Sequence, residues 1–221
     1  MTRLSVCTIA LDEEQLIGAM LESVAPVADE VVVAIDSRTT DATRIIAEQH
    51  GAKVRLFDWR EDFSYARNLS LFAATGDWAL VLDADERLLP VGVQVVRDVL
   101  ERPPASETLT GVAFTIAQQN LAGRLLAVQP SSGRLFRRCP QIRYRGVVHE
   151  EPFWLPDPQR TRWLLVTGEP QIAHVGCDPT LWAVRGKQER NVRLLERRIA
   201  EHPGDQYARA KLAQTQAVAQ P

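Results

Sequence analysis

The chain has 221 residues, 45% of them hydrophobic and 24% charged, with 26 lysines and arginines against 28 acids for a net charge of −2. This is ordinary globular composition; it excludes a disordered or collagen-like chain, and near-neutrality excludes a basic nucleic-acid binder. No apolar run approaches the ~18 residues of a membrane span. The N-terminus lacks a signal-peptide stretch, and Cys7, Cys139 and Cys177 show no metal-ligand spacing, so a reduced, cytoplasmic protein is expected.

Leu4–Ile9 is an apolar, β-branched run that predicts a buried strand. Leu16, Ile17, Met20, Leu21 and Val24 recur at three- and four-residue steps and predict a helix stopped near Pro26. Next come a strand over Glu30–Ile35, a helix over Asp41–His50 capped by Gly51, and a strand over Lys53–Phe57. A helix over Ser64–Ala74 and a strand over Trp78–Leu82 complete the series. Continuous apolar strands alternating with helices predict an α/β fold: a doubly wound, mainly parallel sheet with helices on both faces. Farther on, Pro90–Arg102 predicts a helix, and Gly111–Gln118, Arg134–Arg138, Gly146–Glu151 and Gln171–Val175 predict strands. From Thr180 the pattern is helical, broken at His202-Pro203-Gly204-Asp205 and resumed over Gln206–Val218.

Ligands of open α/β sheets bind beyond the carboxyl ends of the strands. Three of those ends are acidic: Asp12-Glu13-Glu14 after the first strand, Asp36 through Asp41 after the second, and Asp83-Ala84-Asp85-Glu86 after the fourth. No glycine-rich phosphate loop follows any strand, so a phosphate ligand would have to be held through a metal. Asp83 and Asp85, at i and i+2 of a strand end, are expected on one face. Two carboxylates there repel unless a cation or a shared proton lies between them. Mg²⁺ and Mn²⁺ take oxygen ligands and keep substrate phosphates in their shell. The plain alternative is a solvated acidic turn. The position directly after the most apolar strand favours the metal and diphosphate.

With Ala66-Arg67-Asn68-Leu69, Gly76-Asp77-Trp78, Val148-His149-Glu150 and Ile172-Ala173-His174-Val175-Gly176, these segments form an ordered set. The set resembles the family-2 glycosyltransferases of the GT-A fold, and among them the bacterial core-oligosaccharide and peptide glycosyltransferases. The resemblance implies a GT-A domain over residues 1–178, with a nucleotide-sugar half at 1–100, an acceptor and metal half at 101–178, and a helical tail at 179–221 that could open a helical repeat. It implies transfer of a sugar, with inversion, from a UDP-sugar to a saccharide, lipid-linked or peptide acceptor, assisted by a divalent cation, Mn²⁺ or Mg²⁺. No nucleic acid is implied.

Residue by residue, the resemblance places Asp36 against the uracil ring, and Glu13 and Arg67 on the donor side. Asp85 is to bind the metal, and Asp83 is to hold the ribose or a metal-bound water as part of that centre. His174 is a further metal ligand, with His149 as alternative. Val148-His149-Glu150 supplies the catalytic positions, with Glu150 as base and Glu151 as its alternative. Two positions depart from the family: Arg38 stands where glycine is usual, so the turn is either strained or the side chain reaches a phosphate, and Cys177 stands where tyrosine is common. Residues 179–221 carry +4 and the rest −6. The tail's charge reads first as a solvated helix face. Alternatives are Lys187 or Arg190 folded over the donor phosphates, or peripheral contact with an anionic membrane. Two rival functions remain: a nucleotidyltransferase, and a non-catalytic interaction module.

Overall fold

A computed structural model describes residues 2–103, 110–155, 157–176 and 186–217. The first half alternates strand and helix: β1 (Leu4–Ala10), α1 (Ile17–Val24), β2 (Glu30–Asp36), α2 (Thr43–Gln49), β3 (Lys53–Phe57), α3 (Phe63–Ala73) and β4 (Trp78–Val81). The second half carries β5 (Glu86–Leu88), α4 (Pro90–Glu101), β6 (Gly111–Gln119), β7 (Leu125–Arg137), β8 (Ile142–Arg145), β9 (Glu151–Trp154), β10 (Trp163–Leu165) and β11 (Ile172–His174). Two helices close it, α5 (Lys187–Glu201) and α6 (Gln206–Ala217).

Among the described residues the main sheet runs β3-β2-β1-β4-β7-β6-β11-β5, with β10 also on β6. The β1, β2, β3 and β4 block is parallel, as the continuous apolar runs predict. β7 then enters antiparallel to both β4 and β6. The period of two sorts side chains to two cores. Leu4, Val6, Val33, Ile35, Leu80 and Leu82 pack with Ile17, Met20 and Leu21 of α1 and Val96 of α4. Cys7, Val32, Ala79 and Val81 face the other way, onto Leu71 of α3 and Phe136, Ile142 and Tyr144. Helices therefore cover both faces, as expected.

Several expectations change. The predicted strand over Gly146–Glu151 is a loop, because Gly146 (φ 108°) and His149 (φ 50°) adopt left-handed backbone that cannot extend; β9 starts only at Glu151. β4 stops at Val81, so Asp83 and Asp85 lie in a turn and not on one strand face. β5, β8 and β10, three or four residues each, carry no local signal. β5 exists because it pairs antiparallel with β11, His174 opposite Glu86. Thr180 and Cys177 lie outside the described residues. No helix among the described residues is long and apolar enough to cross a membrane.

Candidate active site

Adjacent parallel pairing brings the carboxyl ends of β1, β2 and β4 side by side. The acidic residues after β1 and β2 are largely occupied in stitching two loops together. Asp12 (φ 50°) accepts from the Thr40 backbone N at 2.8 Å, Glu14 from Ala42 N at 3.0 Å, and Asp41 from Glu14 N at 3.0 Å. Glu13 donates its backbone N to Thr43 Oγ1 at 2.7 Å, and its carbonyl receives the first amides of α1.

Asp36 ends β2 and is 2% exposed. Arg38 folds back onto it: Nη2 lies 2.6 Å from Oδ2, and both Nε and the backbone N lie 3.0 Å from Oδ1. The guanidinium also lies over the Trp59 ring, 5.7 Å from its centroid. Arg38 is not among the residues with positive φ, so the turn needs no glycine and, of the two readings of Arg38, the strained turn does not hold.

α3 connects the two halves of the site. Its N-terminus is capped by Asp62, which accepts from Tyr65 N. Asn68 exchanges two hydrogen bonds with the Tyr144 backbone, at 2.9 and 3.0 Å, and so fixes β8 and the loop that follows it. One residue earlier, Arg67 reaches across the site. Its Nε donates to Glu150 Oε1 at 2.6 Å, and its Nη2 donates to Asp83 Oδ1. Burial opposes the charge on Arg67, but Asp83 and Glu150 outweigh it and raise its pKa well above the ordinary value. Asp83 is pushed up by burial and down by Arg67 and Arg134, and the arginines prevail. Arg134, from β7, bonds Glu86 at 2.8 Å. Burial raises the Glu86 pKa against that pairing.

Asp85 turns to a second cluster. Lys187 Nζ lies 3.1 Å from its Oδ2 and His174 Nε2 lies 3.4 Å from its Oδ1. Burial opposes ionisation of Asp85, but the His174 hydrogen bond and the His174 and Lys187 charges hold its carboxyl well below the usual carboxylate range. On its other side the ring meets Gln118, His174 Nδ1 lying 2.7 Å from Gln118 Oε1, so the amide oxygen accepts from Nδ1 and fixes the ring's orientation. Gly176 lies close against both side chains: a Cβ there would collide with Asp85 Oδ2 and lie 2.7 Å from His174 Nε2.

The structure thus brings Arg67, Asp83 and Glu150 together, and separately Asp85 and His174. Asp83 is directed to arginines, and among the described contacts it does not share the Asp85–His174 cluster. His149 faces elsewhere. Its pKa is lowered by burial first and then by Lys211 and Arg198 of the tail. That tail is docked: Leu194, Leu195 and Ala208 pack on Val148, with Trp59 and Phe63 at the edge. Arg193 bonds Glu61 at 3.0 Å, Arg197 its carbonyl at 2.7 Å, and Arg198 both Asp205 and the Val148 carbonyl. The solvated-face reading therefore fails for Lys187 and Arg198, whose side chains are 18% and 20% exposed.

Sequence reasoning assigned no role to Arg134, Glu86 or Gln118. Glu86 adjoins the acid motif, which was its only signal; Arg134 and Gln118 sit in strands whose pairing is long-range.

Residues 5–153 match the family model described as Glycosyl transferase family 2. The chain is 37% identical over 216 residues to a TPR repeat-containing protein of Synechococcus elongatus, covering 96% of this chain and 52% of that protein. It is 26% identical over 207 residues to the SPbeta prophage-derived glycosyltransferase SunS of Bacillus subtilis, covering 88% and 44%. It spans about half the length of these relatives. Among solved structures, S. aureus TarS 1-349 superposes with a TM-score of 0.52 at 15% identity, over 89% of this chain and 65% of that one, a likeness of fold. The α/β architecture expected for a GT-A glycosyltransferase is the one observed, and the chain belongs to glycosyl transferase family 2.

Proposed function

We propose that the chain is the catalytic part of a metal-dependent glycosyltransferase that passes a sugar, with inversion, from a UDP-sugar to a nucleophile on a saccharide, lipid-linked or peptide acceptor. One observation carries this reading. Arg67 ties Glu150, from the loop before β9, to Asp83, from the turn after β4, so the candidate base and the acid motif form one site.

The residues fit a divalent cation. Asp85 and His174 offer a carboxylate oxygen and an imidazole nitrogen, a donor pair that suits Mn²⁺, and glycine at 176 puts no side chain against them. Among the described residues no three His, Cys, Asp or Glu gather as a complete ligand set. When bound, such a cation supplies positive charge to the leaving diphosphate.

The chain's own groups do the rest. Glu150 holds one oxygen on Arg67 and uses the other to take the acceptor proton. Asp83, fixed by Arg67 and near Arg134, orients the donor ribose. Asp36, with Arg38 and Trp59 at its entrance, lines the base subsite.

Thermal denaturation with a nucleotide panel tests the reading. UDP with Mn²⁺ should raise the Tm more than GDP, CDP or ADP, and Asp85→Ala should abolish the rise. Equal shifts from all nucleoside triphosphates would point to nucleotidyl transfer instead. No shift from any nucleotide would leave a non-catalytic module.

A further inference from the structure

We propose that Lys187 is the site's own counter-ion to Asp85, and that it exchanges with the divalent cation: metal displaces the ammonium, which passes to the diphosphate of the donor. The proposal rests on the metal reading given above.

Lys187 opens α5, directly after Gly186 in left-handed backbone (φ 54°). A cation in the first turn opposes the helix dipole, so helix formation gives no reason for a lysine there. Its partner does. Nζ lies 3.1 Å from Oδ2 of Asp85, whose side chain is 8% exposed. The same carboxylate faces His174 Nε2 through its other oxygen, 3.4 Å away.

A lysine neutralising Asp85 and a metal ligated by Asp85 compete. Mg²⁺ sits about 2.1 Å from a ligand oxygen, so one on Oδ2 would lie within about 5 Å of Nζ at its present position. Like charges that close in a buried site repel, and a cation on this carboxylate contends with the ammonium that already neutralises it.

The helix need not move for this exchange. α5 is anchored farther along, through Leu194 and Leu195 on Val148 and through Arg193 and Arg197 on Glu61. Only the four-carbon stem has to swing. A lysine suits that task because its ammonium is a point charge with rotatable donors, whereas a guanidinium fork is bound to one geometry. The diphosphate gives the displaced ammonium a new partner, so metal and nucleotide should bind cooperatively, each strengthening the other by the same factor.

The test is Mn²⁺ affinity, read by electron paramagnetic resonance of the free ion, with and without UDP. Lys187→Gln should bind Mn²⁺ alone about tenfold more tightly than the unmodified chain, and the strengthening of Mn²⁺ binding by UDP should shrink by a similar factor. Lys187→Arg, which keeps the charge, should gain nothing. Equal Mn²⁺ affinity in Lys187→Gln and the unmodified chain, or a gain in Lys187→Arg, overturns the exchange while leaving the metal reading intact. Mn²⁺ that binds no variant, even with UDP present, overturns both.

Discussion

Asp83 and Asp85 stand two residues apart in one turn, yet they sit in clusters of opposite character. Asp83 faces arginines: Arg67 holds it together with Glu150, and Arg134 approaches within 4.0 Å while bonded to Glu86. Asp85 faces a lysine and a histidine, with a glycine close against the carboxylate and the ring. Guanidinium forks fix carboxylates at defined angles, whereas an ammonium and an imidazole can exchange their partners. On the proposed reading, one cluster holds still and the other accepts a ligand. The i, i+2 spacing that first suggested one strand face instead gives each acid its own partners, because the strand ends before them.

The sharpest way to break the first cluster is Arg67→Met. It leaves Glu150 buried and the partly exposed Asp83 without their shared cation, and should cost about 3 kcal/mol of stability in denaturant unfolding. An unchanged midpoint would show that the arginine is dispensable to the fold.

The second cluster should respond in ligand binding. Gly176→Ala places a methyl against Asp85 Oδ2 and His174 Nε2, and should weaken Mn²⁺ binding in the presence of UDP about tenfold or more. Isothermal titration gives the number, and unaltered affinity would mean that the space is not the metal's.

The smallest effect concerns His149, which belongs to neither cluster. Its folded pKa lies below the ordinary 6.5, through burial and the nearby charges of Lys211 and Arg198. Between those two values the unfolded chain binds the proton and the folded chain does not, so stability is full above about 6.5 and declines as pH falls toward the folded value. Denaturant midpoints at pH 7 and pH 5 should therefore lie closer together in His149→Gln. Identical pH slopes in the two proteins would remove His149 from the tail's docking surface.

The parallel half was legible because its signals are local. β3 falls on the predicted Lys53–Phe57 without change, and Asp36, Asp83 and Asp85 could be picked out because they terminate apolar runs. Arg67 was visible only through the resemblance, since a helical arginine alone reads as surface. The partners were not legible. Lys187 meets Asp85 from 102 positions away, Glu150 meets Arg67 from 83, and Gln118 meets His174 from 56. β11 falls within the predicted Gln171–Val175, whereas β5 exists because it pairs with β11, and the loop over 146–150 replaces a predicted strand through two left-handed residues that composition does not announce.

The proposed function assigns the acceptor's proton to Glu150, a member of the fixed cluster. The most direct measurement is sugar transfer from a UDP-sugar, followed as UDP release with acceptor present, in the unmodified chain and in Glu150→Gln. The variant should keep its UDP and Mn²⁺ affinities while transfer falls by about 10²- to 10⁴-fold. Transfer at the unmodified rate would contradict the assignment of Glu150 as the base.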